Sequence, residues 1–176
     1  KPGKYKAQRL APFSKRHGSF DIGHKGEANQ LGWRRVWPTD EDRDQKTALA
    51  MDLLARVVTV RLIDELREQL GATYGAGASS SMSDVYRHRG SFTIATNDDP
   101  KDLAEIETHV DAIIAEIVAK PVETDLFERA RKPVLESYTD WRQKNPTWIS
   151  YVAEAQLRPD RLDRFRRSEE LFRSIT

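Results

Sequence analysis

Four histidines, His17, His24, His88 and His109, are the natural place to look for chemistry, because an imidazole can ligate a metal or carry a proton near neutral pH. Zinc hydrolases set two of them one helical turn apart with a glutamate as base, in H-E-x-x-H or in the inverted H-x-x-E-H order. Neither order occurs in this chain. The nearest approach is His24-Lys25-Gly26-Glu27-Ala28, which lacks the second histidine and falls on a strand-turn, so it reads as coincidence. His88 stands between Arg87 and Arg89, whose charges make it a poor cation ligand, and His109 falls inside an amphipathic helical pattern. Cysteine is absent, which excludes thiolate metal sites and disulfides. The expectation is therefore no metal ligand, no cofactor and no catalytic residue in this chain.

Nucleophile and phosphate motifs are missing too. There is no G-x-S-x-G and no P-loop, and Gly71, Gly75 and Gly77 follow a helix instead of opening one, so they do not form a dinucleotide fingerprint. Ser79-Ser80-Ser81 reads as loop or edge-strand sequence, and Glu169-Glu170 as a charged face. Lys plus Arg number 29 against 28 Asp plus Glu, a formal charge of +1, which is not the basic excess of a nucleic-acid binder. Arginines do gather near the C-terminal end, at Arg158, Arg161, Arg164, Arg166, Arg167 and Arg173, and the first sixteen residues carry basic side chains and no acid. Such runs at chain ends ordinarily form solvated faces.

The elements that must position any site follow from pattern. In 176 residues with 38% hydrophobic and 32% charged side chains, one domain with one core is expected, and no apolar stretch approaches the ~20 residues of a membrane span. Residues 1–19, broken by Pro2, Gly3, Pro12 and Gly18, read as a basic lead-in; residues 20–176 read as the domain. A strand-like run with a Lys25-Gly26 turn covers Phe20 to Trp37. A long helix is predicted from Asp40 to Leu70, with Thr39 as N-cap, the ladder Leu54, Val58, Leu62, Leu66, Leu70, and Gly71 as stop. Two β-like runs, Ala72 to Met82 and Ser91 to Asn97, come next. Asp99-Pro100 starts a helix with one face at Leu103, Ile106, Val110, Ile113 and Ile117, and Pro121 ends it. A further helix starts near Thr124 and should kink at Pro133; another restarts at Asn145-Pro146, and a last one carries Leu162, Phe165, Phe172 and Ile175. The order predicts an α+β two-layer sandwich, a mostly antiparallel sheet covered on one face by helices.

One segment goes beyond fold. Arg61 to Gly75 reads R-L-I-D-E-L-R-E-Q-L-G-A-T-Y-G, a helix that stops at a glycine and passes at once into a strand. This resembles the C-terminal, zinc-free domains of the pitrilysin/insulinase family of zinc metallopeptidases, where a helix ending in L-R-E-x-x-G runs into a strand containing threonine or tyrosine. Gln30-Leu31-Gly32-Trp33 before the helix, Gly90-Ser91-Phe92-Thr93-Ile94 after the loop, and Thr124-Asp125-Leu126-Phe127-Glu128-Arg129-Ala130 support it.

The resemblance implies the metallohydrolase fold shared by pitrilysin-like and mitochondrial-processing-peptidase-like domains. It implies a chamber-forming domain, inactive alone, whose partner is a zinc-bearing N-terminal domain of the same parent protein or of another subunit. Zinc would belong to the parent and not to this chain. Peptide would be the substrate, and Arg67 and Tyr74 are the positions that would bind its backbone. The resemblance also implies a further helix and strand beyond Ile175-Thr176, and a bacterial periplasmic location. A domain of the same fold with a purely structural role, as in the core subunits of respiratory complexes, is the alternative. A basic module for RNA or membrane surfaces is more distant.

Overall fold

The computed structural model describes residues 7–11, 13, 17–70 and 75–176, the side chains of residues 66–70 excepted. Strand β1 (Leu31–Thr39) leads into helix α1 (Gln45–Leu70), followed by β2 (Gly77–Met82) and β3 (Gly90–Asp98). A short 3-10 turn at Pro100–Asp102 then opens α2 (Leu103–Ala119), and α3 (Thr124–Gln143), α4 (Asn145–Ala155) and α5 (Arg161–Arg173) complete the chain. The sheet order is β1-β3-β2, antiparallel at both pairings. The fold is α+β, as the sequence pattern predicts.

Register decides which side chains face the helices. Trp33 lies opposite Thr96, Arg35 opposite Ile94 and Trp37 opposite Phe92, while Ala78 and Ser80 of β2 continue the Ile94 and Phe92 rows. Because strand side chains alternate, this whole row lies on one face. Phe92 and Ile94 are buried there with Ala55, Val58 and Leu62 of α1 and Ile106, Val110 and Ile113 of α2, and Trp33 and Trp37 pack against them. Arg35 pairs with Asp111 of α2, and Trp33 Nε1 donates to Glu107 Oε1 at 3.3 Å, which holds α2 near β1. The opposite face carries Arg34, Val36, Ser79, Ser81, Ser91, Thr93 and Ala95, none of which enters a core cluster.

A second cluster lies on the other side of α1. Leu53 and Val57 pack there with Ala130, Val134 and Tyr138 of α3 and with Phe172 and Ile175 at the end of α5. The apolar arc of α1 is wide because this helix is covered from two directions. Tyr138 meets Trp141 edge-on and Phe172 at a tilt, and Tyr151 of α4 stacks on Phe165 at 4.2 Å. Among the described residues, no helix is long and apolar enough to cross a membrane.

Several predicted boundaries shift for local reasons. Thr39 is not a helix cap; it is the last residue of β1, paired with Gly90. The helix starts at Gln45 and not at Asp40, with Asp44 accepting from Thr47 N at 3.0 Å and Ala48 N donating to Asp44 O. Its 26 residues run unbroken past Thr59, about 39 Å at 1.5 Å per residue. Residues 20–30 form no strand; Phe20 and Ile22 are exposed, and among the described residues no strand pairs with them. The Asp99-Pro100 start is as predicted, with Asp99 accepting from Lys101 N at 3.0 Å. Helix α3 continues through Pro133 without interruption.

Candidate functional site

The junction between α1 and β2 is where the sequence places Arg67 and Tyr74. Arg67 lies on the last turns of α1, with its side chain outside the described residues; Tyr74 is also outside them. The described surroundings show how firmly this junction is held. The Thr59 hydroxyl donates to Ala55 O at 2.8 Å and accepts the Ala78 N–H at 2.8 Å, so a side chain in mid-helix fastens the start of β2 to α1. Gly77 lies directly against Thr59: a Cβ there would sit 3.7 Å from Thr59 Cγ2. Gly75, at φ +113°, occupies a conformation that side chains resist, so the chain enters β2 through a glycine-specific bend.

Ion pairs fix the same end of α1 from other directions. Arg61 contacts Glu65 at 2.7 Å and Glu116 of α2 at 3.4 Å, which holds its guanidinium charged although burial opposes the charge. Lys120, hydrogen-bonded to Glu116, holds that carboxyl below its ordinary range, with Arg61 reinforcing it. Arg129 of α3 makes a two-pronged contact with Asp64 at 2.8 and 2.9 Å. An opening of about 230 Å³ lies among Arg61, Asp64, Glu116, Lys120 and Arg129, polar and shallow. These contacts anchor the helix end, and nothing in them resembles a nucleophile with its base.

The histidines divide by role. His24 is used by its own turn: Nδ1 accepts from Gly26 N at 2.9 Å and Nε2 lies 3.0 Å from Gln30 O, so the tautomer that fits carries its proton on Nε2. Glu27 beside it belongs to no metal-capable group among the described residues. His109 bridges α2 to α1, with Nδ1 3.2 Å from Glu65 Oε1. His88 behaves differently from the sequence reading. Its loop returns it to Asp40 and Glu41, and these three form a group of metal-capable side chains among the described residues. Sequence reasoning missed the group because His88 stands 47 and 48 positions from Glu41 and Asp40, and the pairing of β1 with β3 brings them together.

Residues 2–134 match the family model described as the peptidase M16 inactive domain. The chain belongs to that family. It is the inactive class of peptidase domain that the Arg61–Gly75 segment resembles, so this resemblance is borne out. The inactive peptidase domain of a zinc protease candidate from Bordetella parapertussis superposes with a TM-score of 0.66 at 16% identity, over 89% of this chain and 84% of that one. The periplasmic protease PqqL from Escherichia coli gives 0.64 at 17% identity, over 84% of this chain and 16% of that one. A peptidase M16 inactive domain from Pseudomonas fluorescens gives 0.64 at 19%, over 84% of this chain and 35% of that one. The M16 domain described here thus spans a minor part of the PqqL and Pseudomonas chains. At these identities the likeness concerns the fold. No curated protein sequence matches the chain.

Proposed function

We propose that this M16 inactive domain serves as a substrate-binding wall of a zinc-dependent endopeptidase whose metal site sits on a separate N-terminal domain. The observation that carries this reading is the family match, which spans the helix-to-strand segment bearing Arg67 and Tyr74. The structure adds mechanical support. Thr59 and the Arg61, Asp64 and Glu65 ion pairs hold the end of α1 and the start of β2 in a fixed relation, which a pair of substrate-contacting side chains needs. A guanidinium and a phenol at these positions would donate hydrogen bonds to peptide carbonyls and to the oxyanion that develops as water attacks. The zinc of the partner domain would supply the activated water. A periplasmic site of action, as printed for PqqL, belongs to the same proposal.

The test uses the parent protein. Loss of one donor aimed at a developing oxyanion costs ~3 kcal/mol, about a hundredfold in rate. Arg67→Ala and Tyr74→Phe should each depress peptide turnover on that scale while zinc content and melting temperature stay near those of the parent. Full turnover in both variants would remove the substrate-binding role and leave a scaffold domain of the same fold.

A further inference from the structure

We propose that Asp40, Glu41 and His88 form a divalent-cation site of the zinc class, distinct from any catalytic zinc on a partner domain. The backbone that carries the three residues is tied together by its own hydrogen bonds. Thr39 and Gly90 form the last rung between β1 and β3. Just beyond it Asp42 N donates to Ser83 O at 2.9 Å, and Ser83 N donates to Arg89 O at 2.8 Å. His88 stands at φ +51°, in the left-handed region, and its N–H donates to Glu41 Oε2.

Donor spacing is the central observation. His88 Nδ1 lies 3.1 Å from Asp40 Oδ1 and 3.8 Å from Glu41 Oε2, and the three donor atoms all fall within 4.8 Å of one another. A tetrahedral zinc with ligands at about 2.0–2.1 Å sets those ligands about 3.3 Å apart. His88 and Asp40, now in hydrogen-bond contact, stand near that spacing, and His88 to Glu41 is half an ångström wide, so a metal would take the place of the proton between Nδ1 and Asp40. One nitrogen and two carboxylates suit zinc, whereas calcium requires six to eight oxygens.

The surroundings permit the charge. The Glu41 side chain is 9% exposed, with Oε1 held by Arg43 Nε at 2.7 Å and Oε2 by the His88 N–H. Each carboxylate oxygen keeps a second lone pair, so these bonds aim the group without filling it, as ligating carboxylates require. Asp40 and His88 are about two-thirds exposed, at 68% and 66%, which leaves the remaining coordination position to water. Arg89 is directed elsewhere, its guanidinium 4.8 Å over the Phe13 ring with Nη1 donating to Ala11 O. That removes one of the two cations on which the sequence-based objection to His88 rests. Arg43, paired with Glu41 Oε1, remains as a cationic neighbour facing the two carboxylates, and Arg87 precedes His88 in the chain.

Titration of the 176-residue chain with zinc chloride, followed by calorimetry and by the histidine ring signals in NMR, tests the site. One equivalent should bind, with the His88 ring perturbed and those of His17 and His24 unmoved. His88→Ala and Asp40→Asn should each weaken binding about tenfold or more, while His24→Ala leaves it unchanged. Melting of the zinc-free variants checks that each is folded, and if one is not, the other decides. Absence of binding, or binding that survives both His88→Ala and Asp40→Asn, overturns the proposal and leaves the cluster an ordinary surface ion pair.

Discussion

Replacing Thr59 by valine keeps the shape of the side chain and removes the hydroxyl that joins α1 to β2. In the native structure that oxygen accepts the Ala78 N–H at 2.8 Å and donates to Ala55 O at 2.8 Å. Losing the Ala55 contact matters little, because that carbonyl belongs to the helix ladder. Losing the Ala78 contact leaves an N–H of a half-buried edge strand without a protein partner, and a methyl placed 2.8 Å from a nitrogen must move away. An orphaned donor of this kind costs about 1–3 kcal/mol; partial access to water and the gained methyl burial place the expectation near 2 kcal/mol. For a domain of this size that corresponds to a melting temperature about 4–8 °C lower. Thermal melts and urea titrations of wild type, Thr59→Val and Thr59→Ser check it, with Ser expected close to wild type because it keeps the hydroxyl. A valine variant within about 0.5 kcal/mol of wild type, or a serine variant as unstable as valine, would show that the hydroxyl does not hold the junction.

Other expectations are more local. Ile106, 0% exposed between α2 and the sheet, should cost about 3–4 kcal/mol when cut to alanine, measured by urea unfolding, whereas Ile149→Ala on the open face of α4 should stay within about 0.5 kcal/mol. Asp44 is held below the ordinary carboxylate range first by the Thr47 hydroxyl and then by the Thr47 N–H. Its contribution is therefore present above that range and lost as the pH falls through the lowered folded value. Wild type and Asp44→Ala should differ at neutral pH and converge in acid, as pH-dependent melts would show.

Long, strongly periodic segments were legible in the sequence. The α1 ladder at Leu54, Val58 and Leu62, the Asp99-Pro100 start and the α2 face at Ile106, Val110 and Ile113 appear in the structure, because helical spacing and capping are local properties of the chain; the Leu66 and Leu70 side chains lie outside the described residues. The error at Thr39 has a tertiary cause. A threonine before Asp40 and Glu41 satisfies every local rule for a cap, and only pairing with Gly90, fifty-one positions away, keeps it in a strand. Residues 20–22 fail in the same way: their β-branched and aromatic content favours a strand, but among the described residues no strand pairs with them. The family could be read from Arg61–Gly75 because the residues that carry the resemblance are contiguous in the sequence. The Asp40–Glu41–His88 group could not, since its members share no sequence pattern. His88 between two arginines argued against a cation until the loop showed Arg89 directed toward Phe13.

Helix α1 belongs to both hydrophobic clusters: Ala55, Val58 and Leu62 serve the sheet side, and Leu53 and Val57 the side of α3 and α5. The two clusters thus lack separate foundations. Stripping α3 and α5 away would expose one flank of the rod on which the sheet rests, and loosening the sheet would do the same to the helical side. The amides of α1 should then exchange with solvent only when the whole domain opens, which makes this helix the slowest-exchanging part of the chain and the domain a single cooperative body. A push delivered to α5 by a neighbouring domain would reach the β1–β3–β2 sheet as a displacement of one stiff rod, with little of it absorbed by bending in between.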